Sequence, residues 1–241
     1  MRAAPKHELL SPENHQHLRL RPSEEGAPHF VQIVTSEFAA AAASCPILFT
    51  KDPTNGEFYA GAIFGFKPGE SFFDDLRSRG GFNPLNVQRD GFFVAGEHIS
   101  IDRSNPRFSE TEGERLFDEA RQPSVCLRGI QRSLGELQAG LEQTKAFIQA
   151  LVEYKLIEAI DVGLTFHGGE HLSLRGLYTV SLDALKDLDD AAALRLFRSG
   201  HLQLACIVSA SLKQIPILAQ LRDRLVRRHS RESEAAASRG Q

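Results

Sequence analysis

One short segment concentrates the residue types that could do chemistry. Between Ile101 and Phe117 the sequence reads IDRSNPRFSETEGERLF, which is dense in Asp, Glu and Arg. Asp102 and Glu114 could orient or protonate a ligand, because carboxylates at this kind of position act as general acids and bases. Arg107 could clamp an anionic group of the same ligand. The segment is therefore a candidate ligand or catalytic site.

The same segment also has a purely structural interpretation, which we favour. Asn105-Pro106-Arg107 has the composition of a turn. Ser109-x-x-Glu112 and Thr111-x-x-Glu114 both fit a capping box, which predicts a helix over Arg115–Ala120. Glutamates at a helix N-terminus are stabilised by the helix dipole. On this interpretation the charges serve the fold and no reaction.

A second candidate is the string HGGEH at residues 167–171, which matches the H-x-x-E-H pattern of inverted zinc peptidases. That chemistry needs both histidines on one face of a helix. A Gly-Gly pair sits inside this string and alternating strand patterns flank it, so we predict a hairpin loop here. The sequence has no phosphate-binding loop, no Gly-x-Ser-x-Gly and no Cys/His ligand spacing. We therefore expect no metal and no cofactor.

The N-terminal segment carries polar residues that could serve a partner. Asn14, His15, His17 and Arg19 stand around Leu18 in the string NHQHLRL. They could contact another protein, or they could pin the segment to the body of the chain, and the residues do not rank these two roles. We include Asn14, His15 and Arg19 among the candidate binding residues.

Phenylalanines cluster in the middle of the chain. Ten of the sixteen lie between Phe58 and Phe117, beside the charged segment. We expect Phe58, Phe64 and Phe66 to be strand core. Six others lie in or beside the charged segments and could line a site, namely Phe72, Phe73, Phe92, Phe93, Phe108 and Phe117.

Composition and charge narrow the class of protein. A 41% hydrophobic content with 24% charged residues predicts an ordinary globular chain. The net charge of −3 gives no basic field for nucleic acid. The charge-free stretches, 38–50 and 201–212, are shorter than the roughly 20 residues of a membrane span. We expect a soluble cytoplasmic protein without a membrane span.

The pattern of elements predicts an α+β fold. Strand signals recur around 30–34, 46–51, 57–66, 97–102, 160–166 and 172–180, and several are separated by turn residues. Two short helices, over 181–188 and 189–199, and a last amphipathic helix follow them. We predict a mostly antiparallel sheet covered by one long amphipathic helix and the C-terminal helices.

The long helix is the clearest element. From Leu127 to Leu151, apolar residues recur with 3-4 spacing over 25 residues, or roughly 38 Å of helix. A strict stripe of this kind is typical of a coiled-coil seam, which would make the protein a homodimer. Phe147 and Val152 widen the stripe, which favours a helix covering a sheet.

These elements imply a simple domain organisation. We predict an N-terminal arm over residues 1–28, a single domain over 29–227 and a disordered tail over 228–241. The tail is rich in Ser, Ala and charged residues, a composition too polar to bury a core.

Four separated blocks of sequence resemble the SapC family. They are NHQHLRL at 14–20, GFKPGESFF at 65–73, the segment from Ile101 to Asp118, and GLYTV at 176–180. The resemblance runs in matching order from about Asn14 to Leu225. One departure is RDGFF at 89–93, where family members commonly show an Arg-Tyr-Pro-Phe-like string.

The resemblance implies a functional context and no catalytic residue. The family is named for surface-layer protein transport in proteobacteria, and it looks like a neighbour of flavin-dependent halogenase-like proteins and outer-membrane receptors. It therefore implies a non-enzymatic accessory or binding protein of surface-layer export or outer-membrane uptake. The partner would be an envelope-transport protein or a halogenase-like flavoprotein. The alternative is a small-ligand-binding protein or enzyme with a Phe-lined pocket that carries Asp102, Arg107 and Glu114.

Overall fold

The computed structural model describes residues 7–22, 27–78, 81–166 and 169–239, with side chains as far as Arg227. Helices and antiparallel open sheets alternate along this part of the chain, which confirms the predicted α+β class. The helices of the described residues are α1 (Pro12–His15), α2 (Phe38–Ala42), α3 (Phe73–Ser78), α4 (Leu85–Gln88), α5 (Val125–Glu153), α6 (Leu182–Lys186), α7 (Asp190–Arg198), α8 (His201–Ser211) and α9 (Gln214–Arg239).

The strands are short. In the described residues they are β1 (His7–Leu9), β2 (Arg19–Leu20), β3 (Phe30–Gln32), β4 (Ile47–Lys51), β5 (Phe58–Ile63), β6 (Phe92–Ala95), β7 (His98–Asp102), β8 (Phe108–Ser109), β9 (Glu114–Arg115), β10 (Ile157–Ala159), β11 (Gly163–Thr165), β12 (His171–Ser173) and β13 (Tyr178–Val180).

The chain divides into two compact units. Unit 1 comprises residues 1–26 and 83–141, and unit 2 comprises residues 27–82 and 142–241. Helix α5 contributes its first part to unit 1 and its last part to unit 2. The predicted boundaries at 28 and 227 stay a prediction, beside two observations. Residues of the predicted arm belong to unit 1, and the backbone of residues 228–239 is helical where the sequence indicated a disordered tail.

Unit 1 contains two small antiparallel sheets. The first has the strand order β1-β7-β6, and the second has the order β8-β2-β9. In the second sheet, Leu20 of β2 pairs with Phe108 on one side and Glu114 on the other. The N-terminal segment therefore supplies the central strand of a sheet whose outer strands come from the charged segment. The core of this unit contains apolar side chains from the N-terminal segment, the charged segment, β6 and α5. They include Leu18, Phe92, Phe108, Leu116 and Leu127.

The helix predicted over Arg115–Ala120 is wrong. Residues 114–115 form β9, and Phe117 makes an isolated bridge with Pro123. Gly113 has a φ of +97°, and a Cβ there would lie 2.4 Å from the carbonyl oxygen of Leu20. The capping hydroxyl of Ser109 instead accepts the amides of a turn, those of Thr111 and Glu112. Pairing with β2 therefore overrides the local helix signal.

Unit 2 is built on a five-stranded antiparallel sheet with the order β10-β13-β4-β5-β3. Neighbouring residues of β4 serve opposite faces, as the strand geometry requires. Phe49 packs near Phe147 of α5, whose ring also meets Phe38 of α2. Leu48 belongs to a separate cluster that includes residues of α9. The sheet is therefore covered on both faces.

The apolar stripe of α5 is buried in the cores of the chain itself. Leu127, Ile130 and Leu134 belong to the core of unit 1. Residues 147, 148 and 151 are buried further along, and the Thr144 hydroxyl accepts the backbone N–H of Thr35. Leu141 is the exception, with 48% exposure. The predicted helix is confirmed, and its apolar stripe is mostly buried, as expected for a helix that covers a sheet. A homodimer through this helix stays a proposal.

Two glycines inside α5 offer a test of the helix. Gly129 and Gly135 are exposed, and a Cβ added to either meets nothing within 4 Å. Alanine is a better helix former than glycine by about 1 kcal/mol, so Gly135→Ala is expected to raise the free energy of unfolding by about that amount. Gly129→Ala should add a similar gain, because the two sites share no partner.

Urea unfolding measures this gain, and Gly61→Ala is the matched control. A Cβ at Gly61 would lie 2.1 Å from the ring of Phe30, which covers that glycine on the sheet. The control should therefore lose stability by about 1–3 kcal/mol. A gain at Gly61 or a loss at Gly135 would contradict the packing described here.

One segment has the length and composition of a membrane-crossing helix. It covers His201–Arg227, and its most apolar 18 residues have a mean hydropathy of 1.5, with 28% of that window buried. The run between His201 and Leu221 carries Lys213 as its single Lys, Arg, Asp or Glu. The prediction of no membrane span rested on the length of charge-free stretches. It did not include this segment, because Lys213 divides the apolar run. Such a segment is weak evidence for a span, since helices of soluble cores meet the same criterion.

Candidate functional site

The candidate residues of the N-terminal segment differ in exposure. His15 is buried, and its ring nitrogens bond to the Oε1 of Glu8 at 3.1 Å and to the backbone of Ser11 at 3.1 Å. Arg19 donates from Nη1 to the carbonyl oxygen of Gly113 at 2.9 Å. Asn14 is exposed on α1. Arg19 thus bonds to the charged segment, whereas both partners of His15 lie in the N-terminal segment itself, and a binding role of these residues stays a prediction.

Arg107 lies half-buried in unit 1 and faces backbone carbonyls. Its Nη1 donates to the carbonyl oxygens of Val87, Gln88 and Asp90 at 3.4, 3.1 and 3.0 Å. Its Nε donates to the carbonyl oxygen of Arg21 at 3.4 Å. The carbonyls of Val87, Gln88 and Asp90 lie at or just beyond the C-terminal end of α4. A helix leaves carbonyl acceptors unsatisfied at that end, and its dipole favours a cation there. Burial lowers the pKa of Arg107, and the nearby Asp90 opposes that shift.

Asp102 organises a turn at the end of β7. Its Oδ1 accepts the backbone N–H of Ser104 at 3.0 Å and the hydroxyl of Ser104 at 2.6 Å. The next residue, Asn105, is buried and donates to the Oδ2 of Asp90 at 3.0 Å. The Asn105 side-chain oxygen accepts the backbone N–H of Arg107. The polar groups of the Asn-Pro-Arg turn are therefore used locally to shape the loop.

Glu114 and its acidic neighbours face outward. Glu110 and Glu112 have side chains 70% and 72% exposed, and Glu114 is also exposed. Glu110 pairs with Arg103 at 3.1 Å, and Glu112 pairs with Arg21 at 3.5 Å. Exposed pairs of this kind contribute about 0–1 kcal/mol. We call Glu110, Glu112 and Glu114 the acidic edge of unit 1.

The pKa of the Cys126 thiol reflects the burial and the charges of this region. Burial raises the pKa of its thiol, the charge of Glu114 raises it further, and Arg107 lowers it. The net direction keeps the thiol protonated, and a protonated thiol is a poor nucleophile. Asp102, Arg107 and Glu114 all belong to unit 1, but Arg107 points to backbone carbonyls while Glu114 points to solvent.

The phenylalanines expected to line a site are mostly core. Phe92, Phe108 and Phe117 are buried in unit 1. Phe93 is half-buried, beside the ring of His7 at 4.8 Å and the guanidinium of Arg89 at 5.3 Å. In unit 2, Phe72 and Phe73 are 8% and 3% exposed. Their role in binding stays a prediction, with burial as the observed placement.

Sequence reasoning missed a buried ion-pair cluster in unit 2. Arg222 of α9 is 3% exposed and donates from Nε to the Oε1 of Glu70 at 2.7 Å. Its Nη1 and Nη2 reach the two carboxylate oxygens of Glu170 at 3.0 and 3.1 Å. The guanidinium also stacks over the ring of Phe166, 4.1 Å from its centroid. Lys67 completes the cluster 3.4 Å from the Oε1 of Glu170.

The turn over residues 65–70 sets the position of Glu70. The second Glu70 oxygen, Oε2, accepts the backbone N–H of Phe66 at 3.1 Å, and the Glu70 amide donates to the Lys67 carbonyl. Gly65 allows this closure, because a Cβ there would lie 2.1 Å from the Glu70 carbonyl oxygen. The block GFKPGESFF therefore forms a turn that presents one carboxylate to α9. The partners are 152 residues apart, so no local signal could have paired them.

The ion pairs favour the charged forms of Arg222 and Glu170. Burial by itself would lower the pKa of Arg222, but its hydrogen bonds to Glu170 and Glu70 raise the pKa overall. The hydrogen bond from Arg222 lowers the pKa of Glu170, and Lys67 acts in the same direction. A guanidinium paired on both sides cannot also clamp a ligand anion without losing one of these bonds.

The strands on both sides of the string HGGEH form a hairpin, as the sequence predicted. Strands β11 and β12 pair antiparallel, with Thr165 opposite His171. His167 and Gly168 lie outside the described residues. Glu170 is committed to Arg222, and His171 bonds through Nδ1 to the Thr165 hydroxyl at 3.0 Å. Within the described ranges, no group of three or more His, Cys, Asp or Glu side chains is placed to hold a metal ion.

Comparison with known proteins gives one result. A model of the SapC family matches residues 10–218, which cover most of the chain. The matched range includes the four blocks described above and the acidic edge, and it ends before Arg222. No curated protein and no solved structure matches the chain.

Proposed function

The chain belongs to the SapC family, and from that premise we propose that it is a non-enzymatic accessory protein that binds a partner. The proposed setting is surface-layer protein export or outer-membrane uptake, which the family resemblance implies. The partner we propose is an envelope-transport component or a halogenase-like flavoprotein. The cytoplasm is the proposed location.

One observation carries the choice of binding over catalysis. Two strong cations, Arg107 of a family block and Arg222 of α9, donate to backbone carbonyls or to carboxylates of the same chain. A catalytic group must reach a substrate atom at hydrogen-bond distance. Because both cations are already paired within the chain, they support a structural scaffold that presents a binding surface. They also leave the rival, a pocket of Asp102, Arg107 and Glu114, without its proposed anion clamp.

The acidic edge is the surface of unit 1 that we propose for the partner. It lies on strands and a turn whose backbone is fixed by β2 and by Gly113, so its carboxylates keep a defined spacing. Glu112 and Glu110 form weak ion pairs with Arg21 and Arg103. They can exchange these pairs for cations of a partner at a small cost in free energy. A partner with a basic face would be attracted to it, and charge complementarity speeds such association.

Affinity capture from the native cell tests the proposal. The bait is the full chain, compared with the charge-reversed variant Glu110→Lys/Glu112→Lys/Glu114→Lys. The matched control reverses three exposed glutamates of α5 instead, Glu136→Lys/Glu142→Lys/Glu153→Lys. We expect the acidic-edge variant to lose at least about ten-fold in recovered partner, since reversing several interface charges costs more than 1.4 kcal/mol.

The control should recover the partner as the unchanged chain does. Recovery of no envelope, receptor or flavoprotein component by the unchanged bait would count against the proposed setting. Equal loss in both variants would show that net charge, rather than this edge, governs recovery.

A further inference from the structure

Helices α8 and α9 present one continuous outer face in unit 2. Its members follow helical spacing and are exposed or half-buried. We call it the outer stripe, and it consists of Gln203, Cys206, Ile207, Ala210, Lys213, Ile217, Gln220, Arg224 and Arg227.

The opposite face of the same helices is anchored in the protein. The hydroxyl of Ser211 accepts the backbone N–H of Ile47 at 2.9 Å. Leu218 and Leu221 are buried in the cluster that contains Leu48. Arg222 is held by its two glutamates. The orientation of the outer stripe is therefore fixed by the fold.

This segment exposes more of its apolar surface than a helix buried in a core would expose. Its most apolar 18 residues reach a mean hydropathy of 1.5, although 28% of that window is buried. A helix that served only a protein core would be mostly buried at such hydropathy. Ile217 is 49% exposed, and nearby α7 exposes Leu194 at 46% and Phe197 at 68%.

The charges beside these apolar groups are mostly positive. Lys213, Arg224 and Arg227 are the charged members of the outer stripe. On α7, Arg195 and Arg198 are exposed beside Phe197. The carboxylate of Asp223 faces Arg227 at 3.9 Å and offsets part of this charge. Apolar and aromatic groups with a basic rim are the composition of helices that lie in a membrane interface.

We propose that the outer stripe, together with Leu194 and Phe197 of α7, docks onto the surface of a bilayer that carries anionic headgroups. Each Lys or Arg near such a surface strengthens the attraction to anionic headgroups, and the exposed apolar side chains add burial in the headgroup region. The helices lie on the bilayer and do not cross it. Crossing would take Arg222 out of its ion pairs and Ser211 away from β4.

Charge also argues against a second copy of the chain as the occupant. A two-fold contact through the outer stripe would bring the Lys213, Arg224 and Arg227 side chains of both copies into one interface. Like charges face each other in that arrangement, whereas anionic headgroups neutralise them. The inference is independent of the proposed protein partner, because a bilayer can bind this face whether or not the acidic edge binds anything.

The exposed thiol of Cys206 makes the test direct. Cys45 is buried and Cys126 is partly buried, so the full chain with Cys126→Ser can be labelled at Cys206 with an environment-sensitive fluorophore. The probes are vesicles of phosphatidylcholine alone and vesicles in which a third of the lipid is phosphatidylglycerol. We expect a blue shift and co-sedimentation with the anionic vesicles, weakened by salt, and neither with phosphatidylcholine alone.

Two variants separate the contributions, and a third controls for net charge. Arg224→Glu/Arg227→Glu should weaken binding to the anionic vesicles at least ten-fold, and Phe197→Ser/Ile217→Ser should do the same. Lys145→Glu/Lys186→Glu changes the net charge equally at exposed sites elsewhere in unit 2 and should bind as the unchanged chain does. All four altered sites of the first two variants are exposed, so circular dichroism should show an unchanged fold.

Three outcomes would overturn the proposal. The first is no binding to anionic vesicles at low salt. The second is equal weakening in the Lys145→Glu/Lys186→Glu control. The third is a blue shift without vesicles that rises with protein concentration, which would identify a second copy of the chain as the occupant.

Discussion

Replacing Arg222 with alanine is expected to lower the free energy of unfolding by about 3–5 kcal/mol, the cost of breaking a buried ion pair from one side. The Glu70 side chain is 14% exposed and would remain in the fold without its cation. The stacking contact with Phe166 would be lost as well. Urea unfolding followed by circular dichroism measures the change, and Arg224→Ala on the same helix is the matched control because Arg224 is exposed.

A double replacement identifies the source of that loss. Glu70→Leu/Arg222→Met removes both buried charges and leaves Glu170, which is 46% exposed, to the solvent. Replacing a buried pair by apolar residues of similar volume is often neutral, so the double variant should recover much of the loss. If Arg222→Ala cost no more than Arg224→Ala, the cluster would not hold α9 to the turn over 65–70.

Replacing Arg107 with alanine is expected to cost about 2–3 kcal/mol, because it removes the guanidinium donor from the half-buried carbonyl oxygens of Gln88 and Asp90. Arg107→Lys keeps the charge and should recover only part of the loss. One ammonium can replace Nη1, which serves three carbonyls, but it cannot also replace the Nε donation to Arg21. The exposed Arg115 gives the matched control, Arg115→Ala, with the same change in charge.

The two Arg107 variants separate a structural role from an anion clamp. A clamp for a ligand would leave the stability of the free protein almost unchanged on substitution. It would also tolerate lysine, which still supplies a positive charge. Equal stability of Arg107→Ala and Arg115→Ala in urea would therefore contradict the structural role.

The sequence predicted the elements whose signals are local. The 3-4 spacing from Leu127 to Leu151 marked α5, because each apolar residue reports the same buried face. Turn residues at 52–56 placed the β4–β5 hairpin. The alternating patterns on both sides of HGGEH correctly predicted the paired strands β11 and β12.

Prediction failed where a distant partner decides the outcome. Ser109 and Ser211 have the side chain of a helix cap, yet Ser109 closes a turn beside β2 and Ser211 bonds across to β4. The pairing of Glu70 with Arg222, and the carbonyls around Arg107, depend on residues that meet only in the folded chain. The charges of the candidate site could therefore be found from the sequence, but their partners could not.

The central claim is that the charged family segments form a scaffold for a binding surface rather than a reaction centre. Partner recovery with two baits, measured at a temperature where both are folded, tests it most directly. The account predicts that Arg107→Lys recovers the partner as the unchanged chain does, and that Glu110→Lys/Glu112→Lys/Glu114→Lys loses at least about ten-fold. Recovery lost with Arg107→Lys and retained in the acidic-edge variant would contradict it.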